Sequence, residues 1–292
     1  MVNLKNLNST TIGIISKIMN LATYSALSIL LKISLSHVHT FQILFLLNIS
    51  GLIITSSIFA FKRTNIFKIR YIDKLYISRS FVYTLGIITW VYSLSLIPIT
   101  EATSISYITP LLASLLGIFL FKEYASKPVI IATILGVVGM IIILKPFSNN
   151  IALSGVMFAL LSAILWAVHD VIVKAQSKAE PWLKQAHIVF LLVSIFSLPM
   201  ALSVWKPLVQ KYLFLCLGLG LLSIINKFFL IKALSKVPLV LLSPISFLRL
   251  VFTAVLAYIL FGESLDIYSI IGVMTIIYST SIAIRISKKS EK

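Results

Sequence analysis

Apolar residues along this chain come in long runs, each close to the roughly twenty residues that a helix needs to cross the hydrocarbon core of a bilayer. Short stretches of basic and turn-forming residues separate them. The pattern predicts ten membrane-spanning helices: Thr11–Ser34, Thr40–Phe61, Leu75–Ile97, Ile99–Phe121, Pro128–Leu144, Ile151–Ala175, Ala186–Val204, Tyr212–Ala233, Pro238–Phe261 and Ile267–Ile284. Little more than Pro98 separates the third from the fourth, and the eighth and ninth meet around Pro238 in the same way. Such tight turns imply antiparallel neighbours. The fold class is therefore an all-α membrane protein.

Composition supports lipid as the solvent. The chain has 292 residues, 59% hydrophobic and only 11% charged, with a mean hydropathy of +1.06. A soluble domain carries about a quarter charged residues. The net charge of +17 would suggest nucleic acid in a soluble protein, but here most Lys and Arg sit in short loops, where they set orientation. With the N-terminus cytoplasmic, 18 of the 25 basic residues fall inside, 4 outside and 3 within helices. The pattern predicts a bacterial inner (cell) membrane protein with both termini cytoplasmic and no nucleic-acid partner. Only Lys5 precedes the first apolar run, which Lys17 interrupts, so no cleavable signal is read there. The single cysteine, Cys216, lies in an apolar run and reads as packing. No metal-ligand spacing and no cofactor motif appears.

The two halves resemble each other. Ser95-Leu96-Ile97-Pro98 through Glu123 runs parallel to Ser235-Lys236-Val237-Pro238 through Glu263 at an offset of 140, matching Ser106 to Ser246 and Tyr107 to Phe247. Near the start of each half, Gly13 and Lys32 match Gly155 and Lys174 at an offset of 142. This divides the chain into five-helix repeats at 1–148 and 149–292. Five helices per repeat force opposite orientations, so the repeats are expected to be inverted about an axis in the membrane plane, the arrangement that suits alternating access.

The stretch Arg79-Ser80, Trp90-Val91-Tyr92-Ser93-Leu94-Ser95, Ile97-Pro98, Thr100-Glu101-Ala102-Thr103 and Pro110-Leu111, ending at Glu123, resembles the drug/metabolite transporter superfamily, specifically its EamA-type members. So does Ser243 to Val251, running on to Phe261-Gly262-Glu263. The resemblance covers essentially the whole chain. It implies a ten-helix basket with a central cavity lined mainly by the first, third, fourth, sixth, eighth and ninth spans. It also implies a secondary transporter that moves a small organic metabolite across the inner membrane. The pattern further resembles the S-adenosylmethionine uptake carriers of intracellular bacteria, which makes that metabolite a candidate substrate. One departure is Lys122, where the family often has Gly before the first-half Glu. A membrane-embedded enzyme or a scaffold would be the other classes. The first lacks a nucleophile, metal cluster or paired carboxylates at one depth, and the second needs neither a repeat nor intramembrane charge.

Charge inside a bilayer is costly and usually faces a partner or an aqueous cavity. Counted from the cytoplasmic helix ends, Lys17, Arg79, Asp170 and Lys227 lie about 6–9 Å deep, and Arg249 about 16 Å. A cationic ring with Asp170 as counter-ion and Arg249 as deepest anchor would suit a carboxylate or phosphate. Lys17 and Arg79 can instead snorkel to the interface, and Asp170–Lys227 can be a structural pair. His169 beside Asp170 suggests a proton relay. Trp90, Tyr92, Tyr107, Trp166 and Phe247 offer an aromatic lining, or plain packing, and Asn20, Tyr24 and Asn226 offer polar contacts. Pro110 and Pro244 interrupt the fourth and ninth spans and read as cavity-lining or hinge positions. Glu101 reads as a cap or an outer gate, and Glu123 and Glu263 as loop organisers. Gly218, Gly220, Ala132 and Gly136 read as close-packing faces.

Overall fold

The computed structural model describes residues 9–35, 38–61, 73–97, 99–144, 152–207, 210–261 and 267–289. Among these there is no strand. Six helices fill the first half: α1 (Ser9–Leu35), α2 (Thr40–Phe61), α3 (Lys74–Leu96), α4 (Ile99–Ser106), α5 (Ile108–Phe121) and α6 (Lys127–Leu144). Six fill the second: α7 (Leu153–Gln176), α8 (Trp182–Ser203), α9 (Gln210–Lys236), α10 (Leu239–Ser246), α11 (Leu248–Phe261) and α12 (Ile267–Lys289). Helix is the form that lipid allows to an open chain, because it satisfies backbone N–H and C=O groups within the segment.

Nine stretches among the described residues are helical, long and apolar enough to cross a bilayer. The expected third span, α3, is a 23-residue helix but is not among them. It buries Arg79, Ser80, Thr84, Thr89 and Ser93, so its polarity faces protein. The chain is a multi-pass membrane protein.

The fourth and ninth spans are each broken, and in the same proportions: an 8-residue helix, one linking residue, then a 14-residue helix. The links are Tyr107 (φ −73, ψ −2) and Phe247 (φ −67, ψ −20). The two prolines do not occupy matching places. Pro110 stands three residues after Tyr107, in the first turn of α5, where a missing N–H costs little; Pro244 stands three residues before Phe247, inside α10. The break thus follows the repeat and not the proline. At that point the rings of Tyr107 and Phe247 stack, centroids 6.0 Å apart and 19° between planes, within a core that includes Met140, Leu250 and Ile276.

The halves interleave. The helix α1 packs along α9, and its counterpart α7 packs along α3; α2 meets α8, and α6 meets α12. Matched glycines allow matched approaches. A Cβ on Gly13 would collide with Val237 and Lys236, and one on Gly155 with Ile97 and Leu96; with the glycines offset by 142 and their partners by 140, these are the same contacts in the two halves. Gly220 and Gly136 are close-packed as expected, against Ser50 and Phe247, and Ala132 is fully buried. Gly218 opens onto free space.

Candidate functional site

Side chains from α1, α3, the α4–α5 break, α7, α9 and α11 converge in the interior. These are the spans that the family resemblance places around a cavity.

Arg249 stands in the first turn of α11, so the break at Phe247 fixes where it points. Its guanidinium lies over the ring of Tyr107, 4.6 Å from the centroid, and over that of Tyr24 at 5.0 Å. Nε donates to the Tyr107 hydroxyl at 3.2 Å. The backbone is tied to α1: the Ser25 hydroxyl donates to the Arg249 carbonyl at 3.3 Å and accepts from Thr253 at 3.1 Å. No carboxylate pairs with Arg249 among the described residues. Asp170 and Lys17 both lie within its electrostatic reach.

Asp170 and His169 form a dyad on α7, Oδ1 to Nδ1 3.2 Å. The carboxyl side chain is 27% exposed and the imidazole 8%. The ring of Tyr83 covers His169 at 5.2 Å, and His169 Nε2 has no hydrogen-bond partner. Lys17 is buried within the protein.

Two expectations are corrected on the facing side. Arg79 is 1% exposed and does not snorkel; its Nη1 donates to Gln176 Oε1 and Gln185 Oε1, each at 3.1 Å. Gln185 Nε2 donates in turn to the carbonyls of Gln176 and Glu180, which holds the α7–α8 turn together. The Asp170–Lys227 ion pair is not formed. Lys227 Nζ sits over the rings of Tyr83 at 4.8 Å and Phe190 at 5.1 Å, while Asp170 is taken by its neighbour His169. Matched depth does not guarantee facing rotation.

The aromatic expectations divide. Trp166 meets Tyr24 edge-on at 6.5 Å and lies where any Cβ on Gly86 would be; its Nε1 is buried without a partner. Tyr107 is part of the Arg249 clamp. Phe247 is wholly buried in packing and lines nothing. Trp90 packs with Leu94 and Ile105 against Ile97, Ala102 and Ala159. Tyr92 is exposed and stacks on Phe158. Asn20 and Asn226 clamp α1 to α9, each amide donating to the other's backbone carbonyl, at 3.2 and 2.8 Å.

Glu101 is buried, with Oε2 unpartnered. Glu123 does more than organise a loop. Lys122 adopts φ 55 and ψ 36, the left-handed region that glycine takes most readily. That turn aims Glu123 at the second half. Oε1 pairs with Lys174 Nζ at 3.0 Å, and Oε2 accepts from the Val240 N–H at 3.0 Å. Lys174 also donates to the Val237 carbonyl at 2.7 Å. One carboxylate and one ammonium therefore latch the ends of α5, α7, α9 and α10. Glu263 and the side chain of Lys32, their counterparts in the repeat, lie outside what the structure describes.

Sequence reasoning passed over Gln176, Gln185, Tyr83 and the Glu123–Lys174 latch. The only signal was two glutamines flanking a short polar turn, opposite an arginine at the same end of α3.

Comparison with known proteins agrees with this architecture. The model of the EamA-like transporter family matches residues 11–145 and again 153–285. The "S-adenosylmethionine uptake transporter" of Rickettsia prowazekii is 31% identical over 73% of this chain and 74% of its own length. Its namesake in Rickettsia bellii is 28% identical over 97% of each. The "Riboflavin transporter" of Vibrio cholerae is 24% identical over 63% of this chain and 62% of its own. A crystal structure of another protein, 18% identical, superposes with a TM-score of 0.80 over 97% of this chain and 99% of that one, and so shares the fold. With a family match over both halves, full-length transporter relatives and intramembrane charges gathered between the halves, the chain belongs to the EamA-like transporter family and is a transporter of small metabolites.

Proposed function

We propose that this transporter carries a small carboxylate-bearing organic metabolite across the bacterial inner membrane by alternating access, with Arg249 holding the carboxylate. The observation that carries this reading is the Arg249 clamp. A guanidinium held between two tyrosine rings, with one donor used and no carboxylate paired to it, is oriented and still has free donors. Support for alternating access comes from the repeated element order, the matched α1–α9 and α3–α7 packing, and the stacked Tyr107–Phe247 pair. Ten spans, in two inverted repeats with boundaries near residues 148 and 149, fit both that pairing and the excess of basic residues on one side. The same excess supports a cytoplasmic side for both termini. The Glu123–Lys174 latch then lies at the cytoplasmic end, where it would close the inner mouth. His169 and Asp170 are placed to pass a proton during the cycle, and Lys17 to help neutralise the substrate.

A second reading names the substrate as S-adenosylmethionine. The Rickettsia relatives favour it by name. Arg249 suits the carboxylate of that metabolite, Asp170 its ammonium, and the faces of Tyr24 and Trp166 its sulfonium and base.

Uptake into proteoliposomes tests the reading. Labelled S-adenosylmethionine and a panel of amino-acid, nucleoside and vitamin solutes are offered to wild type and to Arg249→Ala. At least one carboxylate-bearing solute should accumulate, with uptake reduced at least about 100-fold in the variant, the cost of losing a charged contact worth about 3 kcal/mol. Wild-type uptake by a correctly inserted Arg249→Ala protein overturns it.

A further inference from the structure

The buried charges around the dyad fall into two sets. Toward Tyr107 lie Arg249 and Lys17, which share the field of Asp170; that field also reaches Arg79. Toward the α7–α8 turn, Arg79 and Lys227 come together without any carboxylate in ion-pairing contact. Arg79 is 1% exposed, with two neutral amide oxygens as its acceptors and its Nε unpartnered. Lys227 is 6% exposed, and its ammonium meets ring faces only. Lys227 lies over the ring of Tyr83, and Tyr83 stands one turn along α3 from Arg79, so the two cations approach the same face of α3. Amide oxygens and ring faces soften a buried cation without neutralising it, and like charges in a water-poor interior repel.

Among the described residues, the elements packed around Lys227 supply one carboxylate. From α3 come Arg79 and Tyr83, from α7 His169 and Asp170, from α1 Lys17 and Tyr24, from α8 Phe190 and His187, and from α2 no ionisable group. That carboxylate, Asp170, is held by His169 Nδ1, and its field is shared among Lys17, Arg249 and Arg79 without an ion-pairing contact to any of them. A lysine that merely packed would find a carbonyl or carboxylate, as Lys174 does twice nearby.

We propose that Arg79 and Lys227 form a second anion site, distinct from the Arg249 anchor, that takes an oxyanion of the carboxylate or phosphate kind. Gln176 and Gln185 orient the guanidinium. Tyr83 and Phe190 hold the ammonium without consuming its charge. The oxyanion is either a second acidic group of the transported solute or a free anion bound with it. This role in the cycle rests on the reading of the central cluster as the transport site; the site itself rests on the contacts alone.

Phosphate is the probe. The thermal unfolding midpoint of the purified full-length protein is followed against sodium phosphate at constant ionic strength. Wild type should show a saturable rise of a few degrees. Lys227→Met and Lys227→Gln should both lose it. Lys232→Met, near the end of the same helix, should keep it. No saturable rise in wild type overturns the proposal, as does a response unchanged in the Lys227 variants, or one lost only in Arg249→Ala. Equilibrium dialysis of labelled phosphate covers the case in which neither Lys227 variant folds: one phosphate bound by Arg249→Ala supports the site, and none overturns it. Adding the solute identified by uptake separates the two sources. Displacement of phosphate assigns the site to the solute's own acidic group, and simultaneous binding assigns it to a separate anion. Because phosphate binding is read without transport, binding here alongside normal uptake by Arg249→Ala in proteoliposomes would sink the anchor reading and leave this one standing.

Discussion

Two helix seams, α1–α9 and α3–α7, are built alike and furnished differently. Each has a glycine at one end that accepts the residue after the partner helix, Gly13 with Val237 and Gly155 with Ile97. Each points a ring at the other, Tyr24 and Trp166. Between those shared features they diverge. The α1–α9 seam closes with two reciprocal amide bonds between Asn20 and Asn226. At the matching place, the α3–α7 seam has a single bond from Ser162 to the Gly86 carbonyl at 2.9 Å, with Trp166 laid on the glycine. The carboxylate and the imidazole sit on α7 alone. The backbone keeps a two-fold plan that brings the halves together, and the chemistry departs from it. Identical furnishing would give a site with equal charge on both sides; this one has its carboxylate and imidazole on α7, while buried cations come from both seams, Lys17 on α1, Lys227 on α9 and Arg79 on α3.

The largest effect is expected where the latch joins the two seams, since Lys174 ends α7 and Val237 follows α9. Glu123→Gln should keep an acceptor for the Val240 N–H but leave Lys174 without its counter-charge. Losing one partner of a largely buried pair costs about 3 kcal/mol. Thermal unfolding of Glu123→Gln, Lys174→Met and the double variant should show the double to be no worse than the poorer single. Additive losses would mean that the two side chains do not act as a unit.

Next comes Gly86. Its hydrogen is the surface on which Trp166 rests, so Gly86→Val should force the indole away at about 1–3 kcal/mol. Gly218→Ala on α9, where a methyl group meets nothing, should leave the midpoint unchanged or slightly raised. Equal stability of the two variants would erase the distinction between tight and open glycines.

The smallest effect concerns Lys122. A non-glycine residue at φ 55 carries a strain of about 1 kcal/mol, so Lys122→Gly should raise the unfolding midpoint modestly while the latch persists. A lower midpoint would mean that the Lys122 side chain contributes more than its backbone costs.

Much of this was legible before any coordinates. The spans fell within a few residues of the helices, because lipid burial demands length and apolarity and both are countable. The charges that meet in the interior were found by depth, since an ionisable group in a membrane interior needs a reason to be there. What depth could not give was rotation. Lys227 and Asp170 are expected at one depth yet do not pair, and of the aromatics that could line or pack, Phe247 and Trp90 pack. A helix such as α6 is apolar on nearly every side, so no periodicity tells which face meets protein. The third span shows the opposite case: it is a helix where the sequence predicts one, but its polar residues, buried against α7 and α8, lower its hydropathy.

The sequence by itself determined that the chain lives in a membrane, where its helices run, that it has two related halves and which residues bring charge into the interior. Those follow from composition and spacing, which act one segment at a time. Only the tertiary structure decided that Arg79 rests on two glutamines, that Lys227 rests on rings, that Asp170 turns to His169 and that Glu123 reaches across to Lys174. Each of these joins residues far apart in sequence or chooses between neighbours at equal depth. The choice depends on how helices rotate, cross and break against one another, which no single segment encodes.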